Sequence, residues 1–198
     1  MTQKDLIDRL VVETCVPEEL AHRLLRGALD ELCRNASCWR ERRSMQVPEG
    51  HRDGPGAEIA LPETEDGVRR IGVAALRWRG QRPWGSSLVP DVHRGVLVDR
   101  CGYVKAGDEL SWEDELAPEG DDWSGMPESV LGVLAPAALA LAAARAYEMP
   151  RRPWTDAGLA QTAHGRYAQE LSELLRREIT GNSHAPLTAV VPEAFYDE

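Results

Sequence analysis

Glu113-Asp114-Glu115 and Asp121-Asp122 are the carboxylate runs from which an acid–base pair or a cation site would have to be built. Paired carboxylates catalyse when a hydrophobic pocket lifts the pKa of one above the other, and grouped ones chelate hard cations. No such pocket is evident in the sequence, so both groups read as solvated loop residues. Cys15, Cys33, Cys38 and Cys101 form no Cys-x-x-Cys pair, and Cys33 and Cys38 stand five apart on a predicted helix, off a common face. They read as reduced thiols used as small apolar side chains. His22, His51, His93, His164 and His184 keep no ligand spacing, so neither a metal nor any other cofactor is expected. Gly-rich phosphate loops, a Gly-x-Ser-x-Gly elbow and His-Glu-x-x-His are all absent from the sequence. Trp39, Trp78, Trp84, Trp112, Trp123 and Trp154 are scattered, which suits core and interface anchors better than a sugar or base platform. These residue types predict a protein that is not an enzyme.

Charge narrows the partners. Lys+Arg of 23 against Asp+Glu of 33 gives a net charge of −10 over 198 residues. A protein that grips nucleic acid through phosphates needs a basic patch, so that class is disfavoured, whereas a surface that DNA slides past without sticking is compatible with like charge. The length suits one domain with room for a small second lobe. No run reads as a transmembrane helix, and the amphipathic start Met1-Thr2-Gln3-Lys4-Asp5 predicts no signal peptide and no membrane contact.

The elements follow from periodicity. Thr2 caps a short helix with Leu6, Ile7, Leu10 and Val11 on one face, ending near Thr14. Pro17 in a first-turn position, with Glu18 and Glu19 behind it, starts a long amphipathic helix whose apolar set (Leu20, Leu24, Leu25, Ala28, Leu32, Ala36, Trp39) carries it to about Glu41. Short alternating segments then predict a small antiparallel sheet or sandwich: Met45–Val47, Ala57–Leu61, Val68–Trp78, Arg94–Asp99 and Glu109–Glu113, with a hairpin at Arg79-Gly80-Gln81 whose partner starts at Arg82–Trp84. Pro83 and Pro90 belong at edges or turns. Residues 116–126 read as an acidic linker. Pro127-Glu128 opens an Ala- and Leu-rich helix with little polar face, destined for burial or a subunit interface, in which Pro136 marks a kink or the true start.

That helix ends at Met149-Pro150-Arg151-Arg152-Pro153-Trp154-Thr155-Asp156, where two prolines in four residues forbid its continuation. Thr155 is placed to cap the next helix, Asp156 to sit in its first turn, and Trp154 to staple onto Leu159. The last helix presents Leu159, Ala163, Tyr167, Leu171, Leu174, Leu175 and Ile179 and stops at Gly181-Asn182. Beyond it Pro186 and Pro192 exclude a helix, yet Leu187, Val190, Val191, Phe195 and Tyr196 are too apolar for a solvated tail, so residues 182–198 read as an extended docking arm.

The predicted class is α+β: mainly a bundle of long antiparallel helices, with an inserted antiparallel β lobe and the C-terminal arm. Residues 1–43 and 127–181 make the helical domain, and residues 44–126 the β-rich lobe with its linker. In order of elements, and most specifically in the Met-Pro-x-x-Pro-Trp-x-Asp corner between two helices, residues 1–181 resemble the head-to-tail adaptor (connector) proteins of short-tailed bacteriophages. The Gly/Pro loop His51–Gly56 and the long acidic linker depart from that pattern. The resemblance implies a structural virion protein forming a ring, a dodecamer, beneath the portal protein and above a tail nozzle or tail-hub protein. It implies that genome DNA passes through the channel without sequence-specific binding, and that the arm inserts into the portal. The alternative from another class is a non-catalytic cytoplasmic scaffold or regulatory subunit whose arm grips one protein partner.

Overall fold

The computed structural model describes residues 1–37, 39–83, 87–120, 123 and 125–181, the side chains of 177–181 excepted. Thr2 caps α1 (Gln3–Thr14) through a reciprocal pair of bonds: its hydroxyl accepts from the Asp5 amide at 3.2 Å, and the Asp5 carboxylate accepts from the Thr2 amide at 2.8 Å. Pro17 then precedes α2 (Glu18–Ala36), as its N-cap rather than a first-turn residue. The helix ends five residues short of the Glu41 expected from its apolar spacing. Ser37 takes a left-handed conformation and its amide closes on the Cys33 carbonyl, while Arg40 is already in a strand. The spacing misleads because Trp39 is buried for another reason: it leads into the sheet, where its carbonyl accepts from the Leu116 amide at 2.9 Å.

Among the described residues six strands form two three-stranded antiparallel sheets, β1-β6-β3 and β2-β5-β4. They are β1 (Arg40–Gln46), β2 (Ala57–Ala60), β3 (Val68–Trp78), β4 (Leu88–Asp91), β5 (Val96–Asp99) and β6 (Glu109–Pro118). The expected hairpin after Arg79 reduces to one bridge between Trp78 and Gln81, and β3 pairs instead with the distant β6; Trp84 lies outside the described residues. Pro90 stands on β4, an edge strand, where a missing amide costs no ladder bond. Leu116 and Ala117 are the buried end of β6 and not the start of a linker.

Glu113, Asp114 and Glu115 are likewise in the middle of β6 and not in a loop. Alternation sends Glu113 and Glu115 to the outer face, opposite Arg42 and Arg40, and Asp114 inward. Asp114 is fully buried, and the Arg70 guanidinium grips both its oxygens, at 2.6 and 2.8 Å. The Trp112 indole donates to the same carboxylate at 2.7 Å. The pair lies where two apolar clusters meet. One gathers α1, α2, the helices that follow, Val68, Leu116 and Ala117; the other holds Val47, Ile59, Leu97, Leu110 and Trp112 between the sheets. A second acid, Asp108, closes the far end of the lobe. Burial raises its carboxyl, but the Lys105 amide, the Arg79 guanidinium and the Trp78 indole outweigh that and hold it below its usual value.

Helix α3 (Glu128–Glu148) is long and apolar enough to cross a membrane by length and composition, contrary to the expectation from the sequence, but most of its surface is covered within this fold. It continues through Pro136. The amide that proline lacks would have bonded the Gly132 carbonyl, and both residues lie on the exposed face, where water can serve that oxygen. Helix α4 (Ala157–Gly181) folds back along α3, burying Ala160, Ala163 and Leu174 and half-burying Tyr167 and Leu171. Leu159 and Leu175 point off that face and are exposed.

Removing one partner of a buried ion pair strands the other charge, at a cost of about 3–5 kcal/mol. Asp114→Ala is therefore expected to lower the urea unfolding free energy by that amount, while Glu113→Ala on the outer face changes it by less than about 1 kcal/mol. Equal losses in the two variants would contradict this division of roles.

Candidate functional site

The residues singled out for function fall into two groups, and the structure describes one. Pro150, Pro153, Trp154, Thr155 and Asp156 make the connection from α3 to α4. The arm residues Leu187, Val190, Val191, Phe195 and Tyr196 lie outside the described residues, as do Asp121 and Asp122.

Locally the corner is a closed set of hydrogen bonds. The Met149 amide caps α3 on the Ala146 carbonyl, and Arg151 turns the chain with a left-handed φ of 59°, uncommon for a residue with a Cβ. The Thr155 hydroxyl donates to the Met149 carbonyl and accepts from the Arg152 amide at 3.0 Å. The Asp156 amide reaches back to the Tyr147 carbonyl at 3.1 Å. Thr155 thus ties the loop to the end of α3 and is not the cap of α4. Asp156 is that cap: one carboxylate oxygen accepts from the amides of Gly158 and Leu159, both at 2.9 Å. A charged oxygen suits this end of a helix, whose dipole is positive there. The cap stands one residue later than expected, which removes the register of a Trp154–Leu159 staple. Trp154 packs against the helical cluster while Leu159 is 47% exposed.

Around the corner the structure recruits residues that sequence reasoning passed over. The Tyr147 hydroxyl donates to the Glu13 carbonyl at 3.0 Å, and the Glu13 carboxylate accepts from Arg166 at 2.7 Å, so one residue at the end of α1 holds both α3 and α4. Burial first, and then the nearby Glu13 carboxylate, raises the Tyr147 phenol above its ordinary pKa and keeps it a donor. A signal was available: Tyr147 is the lone aromatic residue in α3. Pro153, Trp154, Thr155 and Asp156 line, with Glu13, Cys15, Tyr147 and neighbouring residues, an open cavity of about 370 Å³. The Trp154 indole N–H there is covered and has no hydrogen-bond partner among the described residues.

Chemically the corner offers caps, a phenol held as a donor and a shallow cavity, which serve rigidity rather than bond-making. Among the described residues no three His, Cys, Asp or Glu side chains gather into a metal-binding group. His22 is committed elsewhere, accepting the Trp123 indole N–H at 2.9 Å. No protein-family model matches the chain, and no curated protein matches it in sequence.

Losing an N-cap side chain costs about 1 kcal/mol. Asp156→Ala is expected to destabilise the protein by that amount in thermal or urea unfolding, and Asp156→Asn by a few tenths. A Thr155→Val variant milder than Asp156→Asn would show that the Thr155 bonds to Met149 and Arg152 contribute little.

Proposed function

We propose that this chain is a head-to-tail adaptor of the short-tailed phage type. In this reading it is a structural virion protein that forms a ring beneath the portal, joins capsid to tail and continues the DNA channel. The observation that carries the reading is the bonded corner: Thr155, Asp156 and Tyr147 together fix the direction of α4, and so the direction in which residues 182–198 leave the fold. In a ring, each subunit would aim its arm at an equivalent groove of the portal protein. The arm supplies apolar knobs in Leu187, Val190, Val191, Phe195 and Tyr196. The net charge of −10 suits a channel through which genome DNA moves without being held.

The finer parts of the proposal are a dodecameric ring, a bundle of long helices toward the channel, the β lobe turned outward or toward a tail nozzle or tail-hub protein, and residence at the head–tail interface after assembly in the host cytoplasm. The reading assigns the chain no catalysis.

Truncation after Gly181 is expected to abolish binding to portal rings, measured by co-sedimentation or electron microscopy, while leaving the far-ultraviolet circular dichroism per residue of the fold unchanged. Unimpaired assembly would refute the role of the arm, and a stable monomer both alone and with portal would favour the scaffold reading. Trp154→Ala is expected to reduce ring or portal assembly more than helix content, because it unpacks the corner without removing a cap. Equal losses in the two would count against the corner as the aiming element.

A further inference from the structure

Two helices run out at the cavity beside the corner. Glu13, Thr14 and Cys15 bring the C-terminus of α1 to it, and Tyr147 brings that of α3. A helix C-terminus is the negative end of the dipole and is favourably matched by a cation. Neither end has one of its own directed here. The last turn of α1 holds no basic residue and carries Glu13 instead, while Arg145 in the last turn of α3 is engaged by Glu31 on α2. The N-terminus of α4 also lies at the cavity, but Asp156 caps it with a full negative charge. Arg166 meets one oxygen of Glu13 at 2.7 Å, which leaves the Asp156 carboxylate without a cationic partner among the described residues.

The hydrogen-bond inventory points the same way. The Thr14 hydroxyl donates to the Leu10 carbonyl at 2.7 Å, the Tyr147 hydroxyl to the Glu13 carbonyl at 3.0 Å, and the Thr155 hydroxyl to the Met149 carbonyl. The amides of Cys15, Thr155, Asp156 and Leu159 are spent on Val11, Arg152, Tyr147 and the Asp156 carboxylate. The Trp154 indole N–H is covered, so that residue offers the cavity ring carbon and no donor. Apart from the weakly donating Cys15 thiol, what remains is acceptor: carboxylate oxygens and hydroxyl lone pairs beside the apolar walls of Pro153, Trp154 and Leu159. The Tyr147 phenol sits in the same field, raised first by burial and then by Glu13, Cys15 and Asp156, with Arg166 opposing.

We propose that this cavity is a binding site for an alkylammonium group, a primary ammonium on a short hydrocarbon stem. An ammonium has three donors and no acceptor, which is the complement of a lining whose donors are spent. Its charge meets Asp156 and Glu13, and its stem lies along Pro153, Trp154 and Leu159 as the stems of lysines lie along apolar surfaces elsewhere. The volume of about 370 Å³ falls at the lower end of small-molecule pockets, which run from roughly 300 to 1,000 Å³. A free amine and the lysine side chain of a partner protein carry the same group, and the chemistry of the cavity is common to both. The site goes beyond the adaptor reading and stands without it, since it requires neither ring nor arm.

Titration of the full-length chain with n-butylammonium chloride tests it, read by nuclear magnetic resonance at the Leu159 methyls and the Trp154 indole, the latter assigned by its loss in Trp154→Phe. A saturable shift is expected, with sodium chloride producing none. The same stem without charge, 1-butanol, should bind more weakly by about two- to five-fold, the worth of one exposed ion pair. Asp156→Asn, which retains the cap, should weaken n-butylammonium by a similar factor while the circular dichroism stays unchanged. Butanol binding as tightly as n-butylammonium would overturn the proposal, and so would a shift that never saturates or one indifferent to Asp156→Asn. Two outcomes uphold the site and name its source: tighter binding of N-acetyl-lysine methylamide assigns it to a partner's lysine, and tighter binding of n-butylammonium to a free amine.

Discussion

A single buried charge joins the two halves of this fold. Asp114 has no access to water, and its carboxylate is satisfied by the Arg70 guanidinium and the Trp112 indole. Such a pair contributes little net stability compared with an apolar filling of the same shape, because both ions lose their hydration. Its consequence is registration. Any slip of β6 by one residue would turn Asp114 to the outer face together with Leu110, Trp112 and Leu116, and drive Glu113 and Glu115 inward. The apolar clusters on either side of Asp114 are thereby held to one alignment, and everything attached to α3, including the corner, inherits it.

Helix α3 supplies the other constraint. Its run of alanines from Ala135 to Ala146 lets α1, α2 and α4 approach closely, and the run is buried nearly all round except at Pro136. A helix without a polar face cannot be positioned by amphipathicity, so its ends must be fixed by named bonds. Tyr147, Thr155 and Asp156 do this at one end.

Much of this organisation was legible before the structure. The cap at Thr2, the start of a helix beside Pro17, the burial of α3, the span of β3 and the break at Pro150–Pro153 all follow from local rules, since each depends on residues within a few positions. What escaped was non-local. The end of α2 could not be read because Trp39 extends a helical spacing while belonging to the sheet. The partner of β3 lies about thirty residues downstream and not across the nearest turn. Glu113-Asp114-Glu115 looks like a solvated acidic run until β1 and β3 are set beside it, when every carboxylate finds an arginine from another strand. At the corner the residue types were right and the register was off by one, because Thr155 and Asp156 are both good caps and the choice is made by the carbonyl of Met149.

Strand β6 and its neighbour β3 run from one apolar cluster into the other: Leu110 and Trp112 belong to the lobe, Leu116 and Ala117 to the helices, with Val73 and Val68 divided likewise. A load that draws the lobe away from the helices along the strands therefore has no hinge to open. It is carried in shear by the rungs of the β1-β6-β3 ladder acting together, a geometry in which hydrogen bonds must fail collectively rather than one after another.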